Sequence, residues 1–423
     1  MRVLFFSVNT EINMPTLPLG LACVATATQR AGHQVKLIDL LPQKDSSEVI
    51  RESIEAFHPD IIGVSVRNID DQSMVGTQFL LDQVKDVVTV CREHTEVPIV
   101  LGGAGYSMYP ESALAYLEAD MGIKGEGDRV FPSLLDHIEH VGDISEIPGL
   151  LLPGKKMKIK PQFAKDLDVL PFPDNRLWLS SELINQDIWI PLQTRRGCPM
   201  ECSYCSTASI EGKMRRQHSP EAVVEMIGQY VKAGFKKFYF TDNTFNIPSS
   251  YAAEICHRLI ALGSDISWMC ILYPWEIEES LVSDMAKAGC REVSLGFESG
   301  SEHMLRIMNK KFTKEDVRRT SELLKKHGIR QMGFLLLGGP GETKSTVEES
   351  LAFADSLPLD ALKITIGIRI YPNTKLAKIA IDEGHISPND DLLYPKFYLT
   401  EGLEDWLCET VKEWTNKRPH WII

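Results

Sequence analysis

The sequence alternates short runs of β-branched and aromatic residues with helical stretches, and this alternation constrains the fold more than any other feature. Over the first 140 residues the predicted strands are 2–8, 34–39, 60–66, 98–101 and 121–123. The predicted helices are 19–31, 46–57, 76–94, 110–117 and 130–140. Strands that alternate with helices of this length pair in parallel. The pattern therefore predicts a doubly wound parallel α/β sheet over residues 1–140.

The same alternation returns from residue 189 with longer periods. Its predicted strands are 189–193, 237–242, 266–272, 292–297, 331–337 and 361–370, with amphipathic helices such as 220–233 and 314–327 between them. β/α units repeated in this way predict a partial (β/α)6 barrel of the TIM type, whose reactive end is the C-terminal edge of the strands. Residues 141–188 are broken by proline and glycine and are interpreted as a connector. The predicted domains are thus 1–140, the connector 141–188, the barrel 189–386 and an aromatic-rich tail 387–423.

Composition excludes several classes of protein. The 45 Lys and Arg against 58 Asp and Glu give a net charge of −13, whereas a nucleic-acid partner needs a cationic surface. No apolar run approaches the roughly 18 residues that cross a bilayer, and the N-terminal run lacks the basic flank of a signal peptide. An odd count of nine cysteines, spread along the chain, favours a reducing compartment, and we expect the cytoplasm.

The strongest chemical signal is the cysteine loop Cys198, Cys202 and Cys205, which follows the first strand of the second domain. Thiolates suit iron–sulfur clusters and zinc. A structural zinc needs a fourth protein ligand, and the nearest candidate is His218. Three cysteines would leave one iron of a [4Fe–4S] cluster open. A zinc knot and a set of buried thiols without chemistry are the alternatives, and the other six cysteines are predicted to be packing residues.

The C-x3-C-x2-C spacing, with Tyr204 before its last cysteine, resembles the signature of radical S-adenosylmethionine (SAM) enzymes. Segments 240–245, 296–301 and 333–343 follow in the order typical of that superfamily. The resemblance implies that the three cysteines hold the cluster and that its open iron chelates the amino and carboxylate groups of SAM. It also implies a set of SAM-binding residues: Tyr204 near the adenine, Asp242 and Asn243 toward the methionine amino group in place of the more typical Gly-Gly-Glu, Glu298 and Ser299 at the ribose, and Leu335, Ile370 and Tyr371 as apolar walls.

The first domain carries glycines at its strand ends, where they let the backbone approach a bulky ligand. In their order they resemble the cobalamin-binding domain fused ahead of the barrel in B12-dependent radical SAM enzymes. The resemblance implies a cobalamin site formed by Asn9, Leu19, Gly20, Ser65, Val66, Gly102, Gly103, Gly125 and Glu126. No Asp-x-His-x-x-Gly loop occurs over residues 1–140, so we expect base-off cobalamin without a histidine ligand from the protein. A domain that has lost cobalamin is the alternative. A dinucleotide is a less expected ligand, because no Gly-x-Gly-x-x-Gly motif follows the first strand.

The resemblance implies an enzyme that cleaves SAM reductively to a 5′-deoxyadenosyl radical and, with cobalamin, methylates an unactivated carbon of a small molecule or natural product. A flavodoxin- or ferredoxin-type donor would supply the electron, and the interdomain cleft would be the site. No catalytic side chain of the protein is predicted. Two alternatives stay open: a radical SAM cyclase, rearrangement enzyme or epimerase without methylating cobalamin, and a non-catalytic sensor that binds the cluster and the corrin. Methylthiolation of tRNA is disfavoured, because that family adds cysteines at the front and a basic β domain at the back.

Overall fold

The computed structural model describes residues 1–8, 17–41, 43, 45–155, 161–179 and 188–423. Its strands are β1 (Arg2–Ser7), β2 (Gln34–Asp39), β3 (Ile61–Ser65), β4 (Ile99–Gly102), β5 (Met121–Ile123), β6 (Leu150–Leu151), β7 (Ile190–Leu192), β8 (Arg195–Arg196), β9 (Arg216–Gln217), β10 (Lys237–Phe240), β11 (Ser267–Leu272), β12 (Cys290–Glu298), β13 (Arg330–Leu337), β14 (Ala361–Ile366), β15 (Ile368–Arg369), β16 (Phe397–Tyr398) and β17 (Trp421–Ile422). Its helices are α1 (Leu19–Arg30), α2 (Ser46–Phe57), α3 (Leu81–His94), α4 (Ala104–Met108), α5 (Pro110–Leu117), α6 (Gly127–Glu139), α7 (Asn175–Trp178), α8 (Thr207–Glu211), α9 (Pro220–Lys232), α10 (Ser249–Leu262), α11 (Glu279–Lys287), α12 (Glu302–Ile307), α13 (Lys314–Lys326), α14 (Lys344–Asp355), α15 (Lys375–Asp382) and α16 (Glu404–Asn416).

The N-terminal sheet has the strand order β2-β1-β3-β4-β5-β6, and its first five strands are parallel. This is a doubly wound order, with the switch point between β1 and β3. Both faces of β1 are buried: Leu4 and Phe6 pack in one core cluster, and Val3 and Phe5 pack in another. Burial on both faces explains why the strand reads as a continuous apolar run. The prediction of a parallel α/β sheet is confirmed.

The predicted connector is partly structural. Its strand β6 pairs antiparallel with β5 and completes the N-terminal sheet beyond residue 140. Further along, the backbone N–H of Ala164 donates to Glu126 of the first domain at 2.8 Å, and Asp168 accepts from the N–H of Ser219 in the barrel at 2.9 Å. Residues 161–179 therefore strap the two domains together.

The second sheet has the order β17-β14-β13-β12-β11-β10-β7, with every neighbouring pair parallel. Its terminal strands β7 and β17 do not pair with each other among the described residues, so the barrel is partial, as predicted. Buried and half-buried residues alternate along β11, because one face packs on the outer helices and the other faces the barrel interior. The predicted tail contributes β17, whose Trp421 pairs with Leu362. Tail residues are thus part of the barrel.

Two predicted elements differ most in their bounds from the structure. The helix predicted over 76–94 begins at Leu81, and Gly76 before it has φ +71°. The strand predicted over 361–370 ends at Ile366, because Gly367 has φ +74° and β15 then turns to pair with β16. In both places a left-handed glycine interrupts the regular backbone. Among the described residues, no helix is both long enough and apolar enough to cross a membrane.

Candidate active site

The cysteine loop is held in shape by the polypeptide itself. Strands β8 and β9 pair antiparallel at its base. Gly197 has φ +85°, and a Cβ on it would lie 2.2 Å from the carbonyl oxygen of Met214, so only glycine fits there. The N–H of Cys198 donates to the carbonyl of Gly212 at 3.1 Å, and the N–H of Ser203 donates to that of Met308 at 3.0 Å. The loop is therefore fixed on both the base and the barrel side.

The three thiols form a soft donor set in a poorly solvated place. Cys198 is 8% exposed, and burial raises its pKa to about 11; burial also raises the pKa of Cys202, and the neighbouring thiols add to both effects. Within the described residues no three His, Cys, Asp or Glu side chains lie close enough to hold a single metal ion. Thiols around a cluster of several irons stand further apart than ligands of one ion. The donor set therefore fits a [4Fe–4S] cluster better than zinc.

His218, the nearest candidate for a fourth ligand, is engaged elsewhere. Its Nδ1 lies 3.2 Å from a carboxylate oxygen of Asp168 in the connector. Its ring stacks against Phe172 with 4.3 Å between ring centroids. The histidine packs the connector against the barrel, and this leaves three cysteines as the candidate ligands.

A buried lysine joins the cysteine loop to the end of strand β12. The Nζ of Lys310 donates to the Tyr204 hydroxyl at 3.0 Å and lies 3.4 Å from Oε1 of Glu298. The lysine side chain is 4% exposed. Burial alone would lower the pKa of Lys310, but the nearby Tyr204 and Glu298 oxygens raise it well above its ordinary value. Burial also raises the pKa of Tyr204. The site thus contains a fixed ammonium group, which the sequence analysis missed.

Of the two residues predicted at the ribose, the structure leaves Glu298 available. Glu298 has φ +66°, and the register of β12 on β13 shifts between Leu295 and Glu298, which re-aims its side chain. Ser299 is fully buried, and its hydroxyl lies 2.9 Å from that of Ser350. The N–H of Ser301 donates to the same Ser299 oxygen at 3.1 Å. The Ser299 hydroxyl is therefore already hydrogen-bonded within the protein, and its contact with the ribose stays a prediction.

The two residues predicted near the methionine amino group, Asp242 and Asn243, also differ in how accessible they are. Asp242 is 2% exposed, and its carboxylate accepts from the N–H groups of Thr194 and Arg195, each at 2.8 Å. It also accepts from the Thr194 hydroxyl at 2.7 Å. Asp242 therefore fixes the chain between β7 and β8, and its carboxylate is already occupied by donors from the protein, while its contact with SAM stays a prediction. Asn243 is half-buried, and its amide donates to Glu211 at 3.2 Å beside the cysteine loop.

Two of the three predicted apolar wall residues are buried in the core. Leu335 and Ile370 are 1% and 0% exposed and pack inside core clusters. Because strand residues alternate between faces, Leu335 points to the outer helices of the barrel while its neighbour Leu336 lies on the other face. Tyr371 is half-buried, and its ring lies 5.3 Å from the guanidinium of Arg369. Tyr371 is thus the most accessible of the three predicted wall residues.

A cleft of about 350 Å³ lies between the C-terminal edge of the N-terminal sheet and the start of the barrel. Barrel residues Gln193, Arg196, Glu211 and Thr241 line one side of it. The other side includes most of the predicted cobalamin residues, namely Leu19, Gly20, Ser65, Gly102, Gly103, Gly125 and Glu126. Val66 is not among the lining residues and is fully buried in the core, so its contact with cobalamin stays a prediction. Asn9 lies outside the described residues.

The cleft fits a bulky ligand on several counts. A Cβ built on Gly20 or Gly102 has no atom within 4 Å, and neither glycine has a positive φ, so the packing of the protein does not require glycine at either place. No histidine is among the described residues that line the cleft. Arg67 also lines the cleft, and no hydrogen-bond or ion-pair partner of its guanidinium is present among the described residues. Burial lowers the pKa of Arg67.

Buried ion pairs connect the floor of the cleft to the cysteine loop. The Arg196 guanidinium donates to Oδ2 of Asp128 at 2.6 Å and lies 3.5 Å from Glu126. Arg216 binds Glu126 from the other side. The four side chains are at most 12% exposed. Among them the sequence analysis had singled out Glu126 alone, and both of its oxygens have protein donors, since Ala164 supplies the second.

The fold and the site define a two-domain metalloenzyme with a thiolate cluster site beside a large cofactor cleft. A model described as the radical SAM superfamily matches residues 192–354, and a B12-binding domain model matches residues 7–135. An uncharacterized methyltransferase of Pyrococcus horikoshii is 30% identical over 377 residues, which are 86% of this chain and 78% of the relative. The chain therefore belongs to the B12-binding radical SAM enzymes, and its cofactors are a [4Fe–4S] cluster, SAM and cobalamin.

Two further comparisons cover most of the chain. The anaerobic magnesium-protoporphyrin IX monomethyl ester cyclase of Rubrivivax gelatinosus is 28% identical over 84% of this chain and 65% of its own length. The solved structure of the radical SAM methyltransferase TsrM from Kitasatospora setae, with tryptophan and a SAM analogue bound, has a TM-score of 0.88. It is 21% identical and covers 98% of this chain and 88% of TsrM. The likeness confirms the predicted fold.

Proposed function

We propose that this protein transfers a methyl group from cobalamin to an unactivated carbon of a small molecule. The observation that carries the proposal is the cleft between the domains, which is lined by Gly20 and Gly102 of the first domain and by Glu211 of the barrel. Glu211 also accepts a hydrogen bond from Asn243, a predicted SAM residue beside the cysteine loop, at 3.2 Å. A radical must meet its methyl source without diffusing, so both cofactors have to border one space. The methyltransferase relative of Pyrococcus horikoshii supports the same class of reaction.

Each part of the site has a defined task. Cys198, Cys202 and Cys205 would hold the cluster. When bound, the cluster and SAM supply a radical that removes a hydrogen atom from carbon, and cobalamin supplies the methyl group. The Lys310 ammonium and the Glu298 carboxylate provide opposite charges beside the loop, 3.4 Å apart, and are suited to the charged and hydroxyl groups of SAM. Cofactors and substrate that fill the cleft would exclude water from reactive species.

The central test is anaerobic reconstitution followed by turnover. We expect about four irons per chain, and production of 5′-deoxyadenosine together with S-adenosylhomocysteine. Cys202→Ala should lose both the cluster and the cleavage of SAM. Cys408→Ala changes a cysteine on helix α16, outside the loop, and should retain both. If Cys202→Ala still cleaves SAM, the assignment of the cysteine loop as the cluster site is wrong.

Radical ring closure without methyl transfer is the second candidate, favoured by the similarity to the Rubrivivax cyclase. The two reactions differ in the fate of the SAM methyl group. With methyl-labelled SAM, a methyltransferase places the label in the product and forms S-adenosylhomocysteine. A cyclase forms 5′-deoxyadenosine with neither of these results.

We also propose a flavodoxin- or ferredoxin-type protein as the electron donor, because the cluster has to receive one electron at a time at low potential. A reducing compartment, the cytoplasm, suits this chemistry. In its support, none of the nine cysteines is paired in a disulfide. Reduction of the reconstituted cluster by purified flavodoxin and its reductase, followed by electron paramagnetic resonance, tests the donor directly.

A further inference from the structure

One polar atom in the cleft has no partner. Asp128 lies in the first turn of α6 and is 5% exposed. Its Oδ2 accepts from Arg196 at 2.6 Å, but its Oδ1 is buried with no hydrogen-bond partner among the described residues. Asp128 lines the cleft. A buried acceptor without a donor is costly, so the position calls for a donor supplied by whatever fills the cleft.

The surrounding charges define what kind of donor fits. Asp128 and Glu126 carry two negative charges, and Arg196 and Arg216 carry two positive charges, so the group is already neutral. A further cation would leave one excess positive charge in a place that is almost fully buried, and this is unfavourable. A neutral N–H or O–H donor satisfies the free oxygen without adding charge. A carboxylate in the same place would be repelled by Asp128.

We propose that Oδ1 of Asp128 accepts a hydrogen bond from a primary carboxamide at the rim of the corrin ring. The inference rests on cobalamin occupying this cleft. Cobalamin carries such neutral amides around its ring, and each has two N–H donors. Asp128 then acts as a specificity residue, because it distinguishes a corrin amide from the corresponding carboxylic acid.

Binding titrations test this without any turnover. Hydroxocobalamin and the separated monocarboxylic acids made by mild hydrolysis of its peripheral amides are titrated into the reconstituted protein and followed by the visible spectrum. At pH 7.5 we expect one acid isomer to bind the wild-type protein at least about tenfold more weakly than hydroxocobalamin, because two carboxylates then meet. The other isomers serve as internal controls and should bind nearly as hydroxocobalamin does.

Asp128→Asn replaces the acceptor with a group that also donates, so the discrimination against that isomer should shrink to about twofold or reverse. Asp136→Asn is the matched control, since it makes the same change on the exposed side of the same helix, and it should keep the wild-type ratio. Equal binding of all isomers by the wild-type protein overturns the inference, and this result does not depend on whether a variant folds. An unchanged ratio in a folded Asp128→Asn protein also overturns it. Failure of hydroxocobalamin itself to bind would remove the proposed methyl transfer as well, so the two failures are distinguishable.

Discussion

Gly20 offers a direct test of the cleft as the cobalamin site. It lies in the first turn of helix α1 and lines the cleft, and a Cβ on it would have no neighbour within 4 Å. Its φ is not positive, so a larger residue can adopt its backbone conformation. Gly20→Leu therefore places a side chain into the space that we assign to the cofactor without disturbing the protein around it.

The substitution should have opposite effects on folding and on binding. Leucine in a helix is favoured over glycine by about 0.5–1 kcal/mol, which raises the melting temperature of the cofactor-free protein by roughly 1–4 °C. In the complex the leucine competes with the corrin for space. Forcing extra methylene groups into a filled site costs about 1–3 kcal/mol. That cost weakens the Kd for hydroxocobalamin by about 5- to 150-fold.

Gly228→Leu is the matched control. Gly228 lies in helix α9, has no neighbour within 4 Å of its built Cβ and does not line the cleft. Thermal unfolding and spectroscopic titration of both variants give the comparison. The control should gain similar stability and bind hydroxocobalamin like the wild type. Wild-type affinity in Gly20→Leu, or an equal loss of affinity in both variants, would refute our placement of the cofactor.

Three further predictions concern other parts of the chain. Lys310→Met should weaken SAM binding about tenfold or more by isothermal titration, because it leaves the Glu298 carboxylate without its cation, whereas Lys311→Met, which changes an exposed neighbour, should not. Burial raises the pKa of Glu342 from 4.5 to about 7. The folded state holds this proton more tightly than the unfolded state, so the stability that the group contributes is present at low pH and is lost as the pH rises through about 7. Relative to Glu342→Gln, the wild type should lose about 3 kcal/mol of unfolding free energy between about pH 4 and 8, measured by urea unfolding. Arg369→Met breaks a 2.8 Å ion pair with Asp70 whose side chains are at most 3% exposed, and it should cost about 3–5 kcal/mol, most of which the double variant with Asp70→Leu should recover.

Much of the fold could be predicted because it follows from local periodicity. The apolar runs that became β1, β3 and β4 are buried on both faces, and such runs stand out in a sequence. Strands β6 and β17 could not be predicted in this way, since each has two residues and shows no period. Their existence depends on partners far away in the chain, as when Trp421 pairs with Leu362. Such pairing has no local signal.

In the candidate site too, residues in one short motif could be predicted, whereas residues brought together from distant parts of the chain could not. The cysteines were found because their spacing places three thiols in one short loop. Lys310 was missed because 106 residues separate it from Tyr204, and a lysine beside another lysine reads as a solvated surface. Leu335 is buried in the core, whereas Leu336 lies on the opposite face of the strand, and the sequence does not show which of the two faces the barrel interior. Composition and spacing therefore predict the kind of chemistry, whereas the burial of each side chain in the fold determines which residues can take part in it.

Arg196 explains how the two cofactor sites keep their relative position. It stands two residues before Cys198, and its guanidinium binds Asp128 at 2.6 Å on the floor of the cleft. Both side chains of this ion pair are almost fully buried. Separating them would leave an unpaired buried charge, at a cost of about 3–5 kcal/mol, so the pair keeps its geometry. The cysteine loop is itself locked at Gly197, where no other residue fits. A chain of buried contacts therefore runs from the proposed cluster ligands to the proposed cobalamin cleft, so the folded protein itself holds these two parts at a fixed distance.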